Sequence, residues 1–465
     1  MMPDLLNQFV AIVGEKNVIR DEREMVGYMK EWRDIWVGKS PLVMRPSSTE
    51  EISRILKLAS ETGTGIVPQS GNTGLVGGQI PFENDRELLL SLDRMTKILD
   101  TDAADNTMTV QAGATLKSVQ TAADEVGRLF PLSLASEGSC RIGGNLSTNA
   151  GGLNVLAYGS ARDLCLGLEV VLPDGRIWNG LRHLRKDNTG YDLKNLFIGA
   201  EGTLGVITAA VLKLYPKPQS HETAFIGVTS PQAAVDLLSL AREMSGNRVV
   251  AFELMPRIAM DFTVKHMGIT NPLAEFSPWY ALSELADPVA GSFESILEEA
   301  MTRGLVTDAT VAQSETQRQA LWAIRELMPE SQKFEGGSIK HDVSVPVSKI
   351  PQFIVEATLA ISMFMPGARV MSFGHMGDGN LHFNVSQPLG MDKKKYLDNW
   401  NEMNAVVFEV VQKFGGSISA EHGIGRLKKH HMPKIKSEIE LQMMRDLKKL
   451  FDPGNIMNPG KVLPP

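Results

Sequence analysis

Two hydrophobic periods alternate along the chain. Ile52, Ile55, Leu56 and Ala59 recur at helical spacing behind Ser48 and Glu51, a pair spaced as a capping box, and ahead of Gly63. That pattern predicts a helix. An extended run, Gly65 to Pro68, and an irregular loop follow; Leu88 to Leu92 and Met108 to Gln111 read as strands, and Thr115 to Val126 reads as a helix stopped by Gly127. Leu164 to Leu172 and Gly205 to Leu214 are again strand-like. Tyr215-Pro216-Lys217-Pro218 suits neither a helix nor a central strand, so a domain boundary is placed near 217. Beyond it, helical stretches at about 231–244, 292–303, 315–328 and 348–362 alternate with strand candidates, and Ser437 with Glu440 opens a helix carrying Leu441, Met444, Leu447 and Leu450. The prediction is an α+β protein with at least two packed units.

A chain of 465 residues is long enough for two to four such units, which excludes a bare peptide module. The net charge of −7, without a Lys/Arg stripe interleaved with aromatics, points away from nucleic acid and anionic membranes and towards a small molecule. Cys140 and Cys165 cannot build a disulfide framework. Met1-Met2-Pro3-Asp4 carries acid where a signal peptide carries base, and the apolar stretch Phe353 to Met365 is short and interrupted by Glu356. The expectation is a cytoplasmic protein with no membrane span.

Glycine is concentrated in two places. Gly38-Lys39-Ser40 imitates the end of a phosphate loop, but Arg33 stands where the first glycine is required, and no G-x-G-x-x-G lies between a strand and a helix. A nicotinamide Rossmann domain is therefore disfavoured. Instead, Pro68-Gln69-Ser70-Gly71-Asn72-Thr73-Gly74-Leu75-Val76-Gly77-Gly78 and the run from Gly138 to Gly152 offer small residues and backbone N–H groups to an anionic ligand such as a pyrophosphate. Either alone also fits a surface turn; two together favour a cradle.

These loops, with Tyr158-Gly159-Ser160, Leu166 to Gly175, Ile198-Gly199-Ala200-Glu201-Gly202-Thr203-Leu204-Gly205-Val206-Ile207-Thr208 and Asn458-Pro459-Gly460-Lys461-Val462, resemble the FAD-dependent dehydrogenases of the vanillyl-alcohol-oxidase and p-cresol-methylhydroxylase (PCMH) superfamily. The closest similarity is to the D-2-hydroxyglutarate and D-lactate dehydrogenase branch. The resemblance implies a two-subdomain PCMH-type FAD-binding fold with a cap domain of antiparallel sheet and helices. It divides the chain into a helical segment 1–37, an FAD domain 38–217, a substrate domain 218–410 and a returning segment 411–465. It assigns the cofactor to Pro68, Gln69, Ser70, Gly71, Asn72, Thr73 and Gly74, to Gly138, Ser139, Gly143, Gly144, Asn145, Thr148 and Gly151, and to Glu201, Gly205, Ile207 and Asn458. Relatives with covalent flavin often carry a histidine in the first loop; Ser70-Gly71-Asn72-Thr73 has none, so non-covalent FAD is expected.

His375 and His382 flank a Gly377-Asp378-Gly379-Asn380 turn. Seven residues apart they could not share an ion on one helix, where the rise is about 10 Å, nor on one flat strand, but a turn removes the objection. With Glu421 they would form a His2Glu set with an open position, suited to Zn2+, Mn2+ or Co2+; hydrogen bonding within a strand pair is the alternative for the histidines. Adjacent side chains diverge, so Glu421 is assigned to the metal and His422 to proton transfer, with the reverse assignment also open. The resemblance places Arg325 and Lys340 at the substrate, with Arg325 alternatively pairing a neighbouring acid on an exposed helix; Asn384 and Asn380 fit either a polar site or a structural turn. The chain departs from the 2-hydroxyglutarate pattern at Pro329, where a threonine is expected one helical turn after the arginine.

The leading reading is oxidation of a D-2-hydroxy acid, D-2-hydroxyglutarate foremost, to the 2-oxo acid with hydride transfer to FAD N5. D-lactate and D-malate are alternatives, as are a flavin subunit of a larger glycolate-oxidase-like complex and a flavin-free metallohydrolase. An electron-transfer flavoprotein or quinone is the expected acceptor, and the resemblance implies a homodimer.

Overall fold

The helix predicted behind Ser48 runs Thr49–Thr62 and buries Ile52, Ile55, Leu56 and Ala59. Ser48 accepts the Glu51 N–H, but the Glu51 carboxylate turns to the backbone of Ser47, so the box closes one residue early. Gly63, at φ 65°, ends the helix in the left-handed conformation that glycine adopts without strain. The computed structural model describes residues 2–82 and 86–464, and within it the chain forms two units. The first comprises Met1–Gly152, Gly159–Lys217 and Glu421–Pro465; the second comprises Leu153–Tyr158 and Pro218–Ala420.

In the first unit, Gly65–Gln69 pairs parallel with the wholly buried strand Glu87–Ser91, which pairs parallel with Val43–Met44; Val18–Ile19 completes this sheet in antiparallel sense. A second sheet is antiparallel throughout, in the order Ile98–Asp102, Thr107–Gln111, Val206–Lys213, Cys165–Val171, Ile177–Gly180. Tyr215–Pro216 is more than a connector, since it pairs with Arg128–Leu129. The returning segment brackets Ile66: the Ile66 N–H donates to Ile456 and the Asn458 N–H donates to Ile66. Helix Glu438–Phe451 carries the full capping box from Ser437 and Glu440, yet only Leu441 is buried and Leu450 is 74% exposed. Its apolar stripe is covered towards the start of the helix, with Met444 and Leu447 half-buried, and leaves the core at Leu450.

The second unit has a four-stranded antiparallel sheet ordered Val249–Pro256, Trp279–Ala286, His221–Val228, Val306–Val311, and a three-stranded one ordered Ser338–Ser344, Asn380–Ser386, Arg369–Phe373. A bridge between Leu254 and Gly374 joins their edges. The predicted helices are Pro231–Met244, Ser292–Thr302, Glu315–Glu326 and Ile350–Phe364. The third stops two residues early, because Pro329 opens a separate turn, Met328–Ser331, in the first-turn position that proline tolerates. The unit extends to Ala420 rather than 410: helix Trp400–Lys413 packs on Ile350–Phe364, and Ser417 pairs with Ser344.

Val347–Phe364 is, by length and composition, long and apolar enough to cross a membrane, a longer stretch than the sequence reading gave. It buries Ile350, Phe353, Ile354, Ala357 and Ile361 and exposes Val355, Leu359 and Met363. Phe353 meets Phe383 and Phe414 edge-on at 5.6 and 6.1 Å. Phe353→Ala should therefore cost about 3–5 kcal/mol in denaturant unfolding, whereas Leu359→Ala should stay within about 0.5 kcal/mol.

Candidate functional site

A cavity of about 750 Å³ opens within the first unit. Both glycine-rich loops wall it, because each follows an element of fixed direction: the first leaves the strand Gly65–Gln69, and the second enters the short helix Ile142–Ser147. They interlock. A Cβ on Gly71 would stand 2.2 Å from the Ser139 carbonyl oxygen and one on Gly144 3.0 Å from the Ser70 side chain, while the Gly144 N–H donates to Ser70 Oγ at 3.2 Å. Every residue assigned above to the cofactor lines this cavity except Gly138, which lies off its wall. Glu421 and His422 line it as well.

Three non-glycine residues on the wall, Asn72, Glu201 and Asn458, have positive φ (53°, 51° and 43°). Such strain persists only where the surroundings enforce it. The Asn72 amide donates to the carbonyls of Gly27 and Lys30, and the Asn458 amide to those of Gly78 and Glu201. Glu201 has a role that sequence reasoning missed: its carboxylate accepts the N–H groups of Ile424 and Gly425 at 2.7 and 2.9 Å, fastening the turn that carries His422. Burial pushes this carboxyl up to about 7 against the opposing pull of those N–H groups and of Lys428.

In the second unit the register of the three-stranded sheet builds a polar face. Lys340 stands opposite Asn384, Asp342 opposite His382, and Ser344 opposite Asn380; Met371 and Phe373 flank Asn384 and His382 from the other side. The alternate residues Ile339, His341, Val343, Phe383 and Val385 are buried on the opposite face. The hairpin turn brings the His375 and His382 rings to 5.4 Å. Asn380 donates to Asp342 and to the Val343 carbonyl, and Asn384 donates to Gln332 at 2.9 Å, so both amide groups are committed inside the protein. The chain arrives at Glu421 along this sheet, with the Ala420 N–H donating to the Asp342 carbonyl.

Arg325 is not on an exposed helix face; it is 6% exposed, and its partner is an acid distant in sequence. Arg325 Nε donates to Glu253 Oε2 at 2.6 Å, and the guanidinium lies 4.7 Å from the Phe373 ring centre. His375 Nδ1 contacts Glu253 Oε1, also at 2.6 Å. Burial alone would raise the Glu253 carboxyl, but the charges and hydrogen bonds of His375 and Arg325 outweigh it and bring it down to about 2. Glu253 was missed in the sequence, where its signal is one acid inside the apolar run Val249-Val250-Ala251-Phe252-Glu253-Leu254-Met255.

A strand-and-loop cradle with an interlocked glycine wall, followed by a domain with a histidine pair and a buried arginine, defines a flavoprotein oxidoreductase fold. Residues 40–180 match the FAD binding domain and residues 217–462 the C-terminal domain of FAD linked oxidases. The chain belongs to the FAD-linked oxidase family. It is 41% identical to D-2-hydroxyglutarate dehydrogenase, mitochondrial, of Danio rerio over 93% of this chain and 80% of that one, and 36% identical to D-2-hydroxyglutarate dehydrogenase of Xanthomonas citri pv. viticola over 94% and 92%. A putative mitochondrial D-lactate dehydrogenase of Schizosaccharomyces pombe is 37% identical over 95% and 85%. The fold is shared with p-cresol methylhydroxylase (TM-score 0.77, 15% identity, 99% of this chain and 97% of that one) and alkyldihydroxyacetonephosphate synthase (TM-score 0.75, 21% identity, 99% and 86%).

The cavity fits FAD, since both glycine-rich loops line it with small residues and backbone N–H groups and pack so closely at Gly71 that a Cβ there would drive them apart. Gly71→Ala should therefore yield a protein that loses its yellow colour on dialysis, read as flavin absorbance per chain. Glu201 supplies a pH prediction. Its folded pKa lies above the ordinary 4.5, so its contribution to stability is complete below 4.5 and is lost as pH rises through about 7. Between pH 5 and 8 the stability of Glu201→Gln relative to the parent protein should rise, by at most about 3 kcal/mol, in denaturant midpoints taken at both pH values.

Proposed function

We propose that this protein oxidises a D-2-hydroxy acid, D-2-hydroxyglutarate in preference, to the 2-oxo acid. The observation that carries this reading is Arg325: one edge of a buried guanidinium is committed to Glu253, while its two terminal nitrogens have no protein partner among the described residues. Those nitrogens are the donors with which arginine grips a carboxylate. The names of the relatives support the same substrate class.

FAD, bound non-covalently because the first loop offers no histidine, supplies the acceptor for the hydride leaving C2. His375, His382 and Glu421 would hold a divalent ion, zinc foremost, which would supply Lewis-acid chemistry to the substrate. The histidine chemistry fits, because a carboxylate only accepts. His375 Nδ1 therefore carries the proton, and its Nε2 keeps a lone pair for ligation. His422 takes the hydroxyl proton. Arg325 and Lys340 hold carboxylates and so fix C2, an orientation effect. We assign reoxidation to an electron-transfer flavoprotein or a quinone.

Pro329 favours a second reading within the class. Without the hydroxyl of a threonine, the distal carboxylate of a five-carbon substrate has one donor fewer, which suits D-malate or D-lactate.

The test is an anaerobic titration with D-2-hydroxyglutarate, D-malate and D-lactate, with and without chelator. Bleaching of the 450 nm region by D-2-hydroxyglutarate at the lowest concentration, abolished by chelator, is expected; bleaching that survives metal removal would refute the metal, and failure with all three acids would refute the substrate class. His422→Asn should lower kcat by about 10²–10⁴-fold with FAD retained.

A further inference from the structure

Glu253 is inaccessible to water and belongs to the Val249–Pro256 strand, whereas its two partners come from elsewhere: Arg325 from helix Glu315–Glu326 and His375 from the hairpin after Arg369–Phe373. Each carboxylate oxygen serves one donor, at 2.6 Å in both cases. We propose that Glu253 is the positioning residue that couples metal affinity to substrate recognition, holding His375 in the tautomer that can ligate and Arg325 in the rotamer that presents its outer edge. The inference rests on the metal reading above.

Three observations exclude a merely neutralising role. Glu253 offers two acceptors to two N–H donors, so an amide of the same shape would turn its NH2 group against one of them. Its place is fixed by backbone, because the next residue, Leu254, pairs in both directions with Gly374, the residue before His375. The guanidinium is also clamped from a second side by Phe373, two residues ahead of His375. One carboxylate thus holds both partners, each by its own oxygen.

Glu253→Gln is the direct variant, but stranding a buried arginine can unfold a protein. The decisive pair is Arg325→Met against Glu253→Leu combined with Arg325→Met, in which the ion pair is replaced by apolar groups of similar volume. The readout is zinc affinity, measured by competition with a chromogenic chelator and checked by elemental analysis, together with circular dichroism. The single variant keeps the acceptor on His375 and should hold zinc as the parent protein does; the double variant should bind it about 10–100-fold more weakly with an unchanged spectrum. Equal affinities in the two variants would overturn the inference while leaving the metal reading intact. A parent protein that takes up no zinc would overturn the metal reading and this inference together.

Discussion

The second unit depends on how the cost of burying Glu253 is met. An isolated carboxylate in an apolar interior is prohibitively unstable, so the ionised group exists there only because donors from two other elements reach it. The same device recurs one strand away. Glu284 accepts from Arg318 and Trp322 with distances of 2.7–2.9 Å, and its pairing opposite Ala251 puts it on the same sheet face as Glu253. Arg318, Trp322 and Arg325 are spaced four and three apart, so one stripe of helix Glu315–Glu326 lies over this face. The helix is therefore located by two buried acids as well as by the apolar cluster of Leu321, Trp322 and Ile324 with Met255, Tyr280 and Leu282. Apolar packing tolerates small slides, whereas a two-acceptor carboxylate does not. Arg325 is thereby fixed by charge as well as by packing.

The first unit solves the complementary problem of letting a polar ligand approach backbone. Here the constraint is the absence of side chains: Gly71 against Ser139 and Gly144 against Ser70 leave no space for a Cβ, so the loops pack directly on each other. The strain of Asn72, Glu201 and Asn458 is met by side-chain hydrogen bonds to neighbouring backbone. Glu201 links the cradle wall to the turn bearing His422, so the glycine-rich loops and that turn, proposed above to carry the base, form one bonded unit. A base that must meet the substrate hydroxyl at a fixed angle benefits from such rigidity, because general base catalysis requires hydrogen-bond distance first and a suitable pKa second.

The legible parts of the sequence were those with local causes. The Ser48 and Ser437 caps, the Gly63 stop and the glycine loops declare themselves within a few residues, and each reappears in the structure. The polar face of the three-stranded sheet was half legible: His375 and His382 were visible as a pair, but their common side follows from a register with Ser338–Ser344 that no local pattern reveals. Glu253 as a site residue, and the hold of Glu201 on the turn at Ile424 and Gly425, were illegible because the partners lie 72 and 223 residues away. At helix Glu438–Phe451 periodicity located the stripe but not its end, since Leu441 is buried and Leu450 is exposed.

Pro329 is the position where sequence and geometry bear together on specificity. It lies just past the helix of Arg325 and starts a new turn, Met328–Ser331, whose Ser331 donates to the Met328 carbonyl. Proline there costs the fold little, since a first-turn N–H has no helical partner to lose. What it removes is a side-chain donor, so under the proposed function discrimination among 2-hydroxy acids would fall to Arg325, Lys340 and the shape of the polar face. A guanidinium with one edge committed to Glu253 keeps a fixed outer edge. On the proposed role of Arg325, such an edge would select by the distance between carboxylates, so that reach would take the place of the hydroxyl in the preference for a dicarboxylate.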